Sequence, residues 1–186
     1  INQLFPNAAD LWPDFWTATL ETLQMTFITG VIAGILGLIL GVILLMTDEG
    51  GLTPQRLIYT ILDKIVNIGR SIPFIILLAV IMPVTRLIVG TSVGTAAVTV
   101  PLVLGTIPFF ARQIQNALLE VDPGVVEAAR AMGVGNVGII YRVYLKEGLV
   151  SIIRASSFTV INLIGLTAMA GTVGGGGLGS MALQQG

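Results

Sequence analysis

The sequence predicts an all-α polytopic membrane protein, a helical bundle, and three observations carry that prediction. Only 10% of its 186 residues are charged while 54% are hydrophobic, against about 25% charged residues in an ordinary soluble domain. The 26 residues from Thr22 to Thr47 carry no charge, and at about 1.5 Å per residue such a helix exceeds the roughly 30 Å hydrocarbon core of a bilayer. Finally, eight of the nine basic residues fall on one side of an alternating arrangement of spans, as expected for the cytoplasmic loops of membrane proteins.

Composition also removes chemistry. The chain has no Cys and no His, so disulfides, thiolate nucleophiles, imidazole bases and the commonest zinc ligands are excluded together. With nine basic and ten acidic residues there is no electrostatic footprint for nucleic acid. No phosphate-binding G-x-x-x-x-G-K-[ST] motif occurs, so ATP is not bound here in that way.

The first span is expected over about 20–47. Gly30/Gly34 and Gly37/Gly41 within it are G-x-x-x-G pairs, which permit close helix packing or simply reflect the glycine content of membrane helices. Before it, Asp10, Trp12, Asp14, Trp16 and Glu21, with no Lys or Arg, suit an interfacial segment with aromatic anchors at the outer surface. Residues Asp48 to Arg56 form a polar turn. A second span is expected over about 65–88, interrupted near Pro73, with Arg70 and Arg86 at its ends. Those arginines are interfacial anchors, lipid-phosphate ligands or partners of distant carboxylates. A third span is expected over about 90–111, containing Pro101 and Pro108 and closed by Arg112. A polar loop over about 112–150 precedes a fourth span at about 152–170, which the run Gly171 to Gly179 then breaks. With the N-terminus outside, eight of the nine basic residues lie in or beside the two inner loops and only Arg86 lies outside. The chain starts at Ile1 without the features of a signal peptide and stops at Gln184, Gln185 and Gly186; a few residues are expected before it and a further segment after it.

The second inner loop holds the most specific local pattern. Asp122 followed by Pro123 is a helix start, with an Asp N-cap and Pro at the first helical position. That helix should stop at Gly133, and Gly135-Asn136 should begin the next. Ala128, Ala129 and Gly133 are expected to form a smooth surface beside Glu127 and Arg130, able to enter a groove on another protein. An ordinary amphipathic interhelical loop is the plainer alternative.

Glu127-Ala128-Ala129 followed by Gly133 resembles the EAA loop of ABC importer permeases. Elsewhere, Arg70-Ser71-Ile72-Pro73-Phe74, Thr85-Arg86-Leu87-Ile88-Val89-Gly90-Thr91-Ser92 and Pro108-Phe109-Phe110-Ala111-Arg112 resemble the methionine-type permeases of that group, and the likeness runs from about Trp16 to Gly179. Two positions depart from the pattern: Lys146 and Val150 stand where relatives have Pro, which leaves the helix after the loop less sharply started. The resemblance implies a permease of five spans, of which about four are present, that carries an amino acid, methionine first, across the cell membrane. It implies a homodimer in the lipid bilayer, two cytoplasmic ATP-binding subunits that hold ATP and Mg, and an extracytoplasmic substrate-binding protein. In that setting the loop residues Glu127, Ala128, Ala129, Arg130 and Gly133 dock on the ATPase, and the chain itself has no catalytic or metal-binding residue. Another small solute, such as an osmoprotectant or a different amino acid, or a non-transport membrane scaffold are the competing readings.

A substrate path at a two-fold axis would use small or adaptable residues of the fourth span, namely Thr167, Ala168, Met169, Ala170 and Gly171. Met169 is the candidate gate, because a flexible thioether among small neighbours can plug a passage and repack; plain helix packing accounts for the same residues. Asn162 is either an interhelical hydrogen-bonding group or a pathway group. Gly174 to Gly177 either let backbone approach closely or form a flexible turn.

Overall fold

A computed structural model describes residues 8–185, with side chains from Leu11 to Gln184; Ile1, Gly186 and the side chains of Asp10 and Gln185, which the sequence reading invoked, lie outside that description. All regular structure among the described residues is helical: α1 Ala8–Thr47, α2 Arg56–Ser71, α3 Phe74–Val89, α4 Thr95–Leu119, α5 Pro123–Ala131, α6 Asn136–Ile139, a π-helical stretch Ile140–Tyr144, α7 Leu145–Glu147, α8 Leu149–Gly171 and α9 Gly177–Gln185. Three helices are long and apolar enough to cross a membrane, or four if the bent pair α2–α3 counts as one span.

The helix limits differ from the expected ones for physical reasons. α1 extends about three turns N-terminal of residue 20, so the Trp12/Trp16 stretch is the start of the same helix. Thr17 and Thr19 return their hydroxyls to the carbonyls of Pro13 and Phe15 at 3.0 and 2.7 Å, which satisfies those polar groups inside the helix. The interruption expected near Pro73 within the 65–88 span is present and divides the segment into two helices. Ile72, held extended at ψ 121° as residues before proline are, and Pro73 separate α2 from α3. The span expected over 90–111 begins later and ends later, at Thr95 and Leu119. Arg112 lies inside this helix, and Asp63 of α2 pairs with its guanidinium. Gln115 accepts at 2.6 Å and Asn67 at 3.2 Å, so the charge is met within the fold and the helix continues. Between α4 and α8 the chain runs from Glu120 to Gly148.

The described chain divides into two compact units. One runs to Val31 and adds Pro73–Leu104 and the residues from Ile161; the other comprises Ile32–Ile72 and Gly105–Val160. In the first, Met25, Leu78, Val98, Leu102, Leu163 and Ala170 form the core. In the second, Gly37 and Gly41 bring α1 onto α4 so closely that a Cβ on Gly37 would lie 2.9 Å from Phe110 and one on Gly41 2.6 Å from the Ala111 carbonyl. This half of the glycine stripe is a packing surface; Gly30 and Gly34 have nothing within 4 Å of an added Cβ.

Candidate functional site

In the second unit the loop folds as the sequence reading expected at its start. Asp122 caps α5 by accepting the Gly124 N–H at 2.7 Å, Pro123 occupies the first helical turn, and Gly133 takes a positive φ of 78°. Such a φ favours glycine and turns the chain out of the helix. Gly133 has open space around it.

Helical phase then sorts the five candidate docking residues. Val126 and Ala129, three positions apart, are buried among Leu45, Ile114, Leu118, Val121, Ile139, Val143 and Tyr144. Ala129 is only 4% exposed, so it does not belong to the outward surface expected of it. It is small because it packs against the core. Glu127, Ala128, Arg130 and Gly133 are exposed. Sequence reasoning missed the apolar part of that surface: Val125 and Met132 on the Ala128 side, with Val137 and Tyr141 beyond the corner, all exposed. The signal was available, since once Val126 and Ala129 face inward, Val125, Ala128 and Met132 follow an outward i, i+3, i+7 stripe.

The loop is fastened on its inner side. Arg130 reaches the Gly51 carbonyl of the turn between α1 and α2 at 3.5 Å. Burial pushes the Tyr144 phenol above its ordinary range while the Arg130 guanidinium draws it back, so this hydroxyl stays neutral at physiological pH. After α6 the chain stays helical through the π stretch and α7, interrupted only at Gly148 (φ −77°, ψ 0°). Lys146 keeps its N–H where relatives of the resemblance have Pro, and no break occurs there.

The candidate path residues lie in the first unit. Thr167 is 1% exposed and donates to the Ile164 carbonyl at 2.7 Å, so it faces the core and not an opening. A Cβ on Gly171 would fall on the backbone of Gly179 and Ser180, which makes Gly171 a packing residue. Asn162 is half-buried. Met169 is 52% exposed and, with Ala168, is left as the outward part of the set.

The glycine run is a fastened turn. Gly174, Gly176 and Gly177 all have positive φ, and the Gly174 carbonyl accepts from the Gly94 N–H at 2.9 Å. The first N–H groups of α9 are taken by α1: Gly177 donates to the Glu21 carboxylate at 2.6 Å and Leu178 to the Thr22 hydroxyl at 2.9 Å. A carboxylate at a helix N-terminus meets both unpaired N–H groups and the positive end of the helix dipole.

Comparison with known proteins adds to this geometry. Residues 33–186 match the family described as "Binding-protein-dependent transport system inner membrane component". The chain is similar to the probable D-methionine transport system permease protein MetI of Pasteurella multocida, 47% identical over 176 residues, covering 95% of this chain and 81% of that one. It is similar to the protein of the same name from Vibrio cholerae, 50% identical over 170 residues, covering 91% and 76%. Among solved structures, one titled for inward facing conformations of the MetNI methionine ABC transporter superposes with a TM-score of 0.92 at 45% identity, covering 96% of this chain and 82% of that one.

Proposed function

This chain belongs to the family of binding-protein-dependent transport system inner membrane components, and on that premise we propose that it is the membrane-spanning permease of an ATP-driven importer whose cargo is methionine. The cargo reading rests on relatives named for D-methionine transport. In this reading two copies form the pathway, two cytoplasmic subunits hold ATP and Mg, an extracytoplasmic protein delivers substrate, and the N-terminus lies outside.

One observation carries the mechanism. The inner face of α5 shares a core with the end of α4, through Ile114 and Leu118, with Val121 just beyond it, and with the approach to α8, through Val143 and Tyr144; Ile152 of α8 packs against it. Close-packed interiors transmit displacement rather than absorb it. A partner gripping the outer face at Glu127, Ala128, Arg130 and Gly133 therefore moves the ends of two long helices with α5. Met169, flexible and exposed, is the residue of the path set suited to open and close a passage.

The test is uptake into proteoliposomes holding the permease, its ATPase partner and the binding protein. ATP-dependent, saturable methionine accumulation is expected, and saturable uptake of a different solute with methionine inert overturns the cargo. Glu127→Ala and Gly133→Val should each lower uptake at least tenfold while membrane insertion is unchanged. Full uptake by both variants overturns the coupling assignment.

A further inference from the structure

A second ion pair of the second unit is built differently from the Asp63–Arg112 pair. The Asp63 and Arg112 side chains are 27% and 15% exposed and are enclosed by amide partners. Glu120 at the end of α4 and Arg154 in the second turn of α8 are 58% and 72% exposed and approach only to 4.0 Å. An exposed pair at that distance contributes little to stability, and a guanidinium with five N–H donors keeps most of them unused in such a contact. The two charges edge a cavity of about 250 Å³ whose wall includes Asn116, Ser151, Ala155 and Phe158. Ser151 donates its hydroxyl to Glu120 and thereby orients that carboxylate. Phe158, half-exposed and stacked on Phe109 with ring centroids 6.0 Å apart, gives the cavity a firm apolar side.

We propose that this cavity is a low-affinity site for a free zwitterionic α-amino acid, a station at which cargo rests within the permease. The proposal rests on the amino-acid reading of the preceding section. Arg154 takes the α-carboxylate through its planar fork, Glu120 takes the α-ammonium, and the side chain lies on Ala155 and Phe158. A thioether suits that aromatic contact. The volume falls just below the roughly 300–1,000 Å³ of drug-sized sites, which suits one small amino acid. A zwitterion is the ligand that satisfies both charges together, since a cation or an anion leaves one of them facing a like charge. The loose contact between Glu120 and Arg154 is then a resting arrangement that the ligand replaces.

The experiment uses the complex of permease and ATPase partner in nanodiscs, without binding protein. Saturation-transfer NMR reports binding of methionine, of methioninamide, which lacks the carboxylate, and of 4-(methylthio)butanoic acid, which lacks the ammonium. The unaltered complex should bind methionine at least fivefold better than either analogue. Arg154→Gln should erase the preference over the amide and Glu120→Gln the preference over the deaminated acid, each with an unchanged thermal midpoint. Equal binding of all three ligands, or preferences surviving in both variants, overturns the site. So does a lowered midpoint in both variants with methionine preference intact, the result a purely structural pair would give. Uptake by the complete system separates this from the function: methionine transport without binding here removes only the station, whereas absence of any amino-acid transport removes the reading beneath it.

Discussion

Two corners of this chain are made by glycines at nearly the same backbone angle, and they are built for opposite purposes. Gly133, at φ 78°, ends α5 in open space. Gly177, at φ 71°, starts α9 with Thr22 and Met25 so near that an added Cβ would lie 2.6 Å from the threonine hydroxyl and 2.9 Å from the methionine methyl. The first corner leaves its polar and apolar neighbours facing outward. The second has its Gly177 and Leu178 N–H groups engaged by Glu21 and Thr22 of α1. The same conformational requirement thus serves an exposed corner and a turn that holds helices together. Position alone does not distinguish them; the surroundings do.

The sharpest way to break this contrast is to give both glycines the same side chain. At Gly177, valine meets the left-handed strain of about 1–2 kcal/mol and the overpacking of a filled site, about 1–3 kcal/mol. Gly177→Val should therefore lower the thermal midpoint of the detergent-solubilised protein severely, by the equivalent of about 2–5 kcal/mol. Gly133→Val meets only the strain and should shift the midpoint much less while suppressing coupled transport. Equal destabilisation by the two variants would remove the distinction between an open and a closed corner.

Neighbouring alanines refine the comparison within one helix. Ala129 is buried in the loop core and Ala128 is exposed. An aspartate at 129 would be an unpaired charge among apolar side chains, costing about 3 kcal/mol or more. Ala129→Asp should fail to accumulate as folded protein, as followed by fluorescence-detected size exclusion. Ala128→Asp should fold normally yet lose co-purification with the ATPase partner. If both variants fold alike, the inward phase of Ala129 is wrong.

What could be read in advance followed from local signals. The cap at Asp122, the stop at Gly133 and the uncharged run of α1 depend on residues adjacent in sequence, and these positions behave as read. What escaped depended on contacts between distant segments. Arg112 looked like the end of a span because a charge belongs at an interface, and nothing local in sequence reveals that it pairs with Asp63, 49 residues away, within an α4 that runs on for two more turns. Ala129 looked like part of a docking face because alanine is small, yet Val126 and the ends of α4 decide which way it points. Thr167 and Gly171 looked like path residues for the same reason and are held instead by an intrahelical hydrogen bond and by close backbone. Glu21 was read only as part of an acidic stretch, since nothing nearby in sequence reveals that it meets Gly177, 156 residues later.

The smallest expected effects come from the two helix starts, and they extend the comparison to single hydrogen bonds. Asp122 caps α5 from its own chain neighbourhood, and its replacement by alanine should cost about 1 kcal/mol, as N-cap losses do. Glu21 caps α9 from α1, so the same kind of bond also ties together segments far apart in sequence. Glu21→Gln keeps an oxygen acceptor for the Gly177 N–H and loses only the charge facing the helix dipole, about 0.3–1 kcal/mol. Glu21→Ala removes the acceptor as well and leaves a part-buried N–H unpaired, a further cost of about 1–3 kcal/mol. The thermal midpoints should therefore fall in the order Glu21→Gln, Asp122→Ala, Glu21→Ala. Hydrogen exchange adds a readout specific to the tie: Glu21→Ala should accelerate exchange at the first amides of α9, and Asp122→Ala only at those of α5. Unchanged α9 exchange in Glu21→Ala would mean that the glycine turn holds its shape without α1, and that the closed corner is closed by its own backbone.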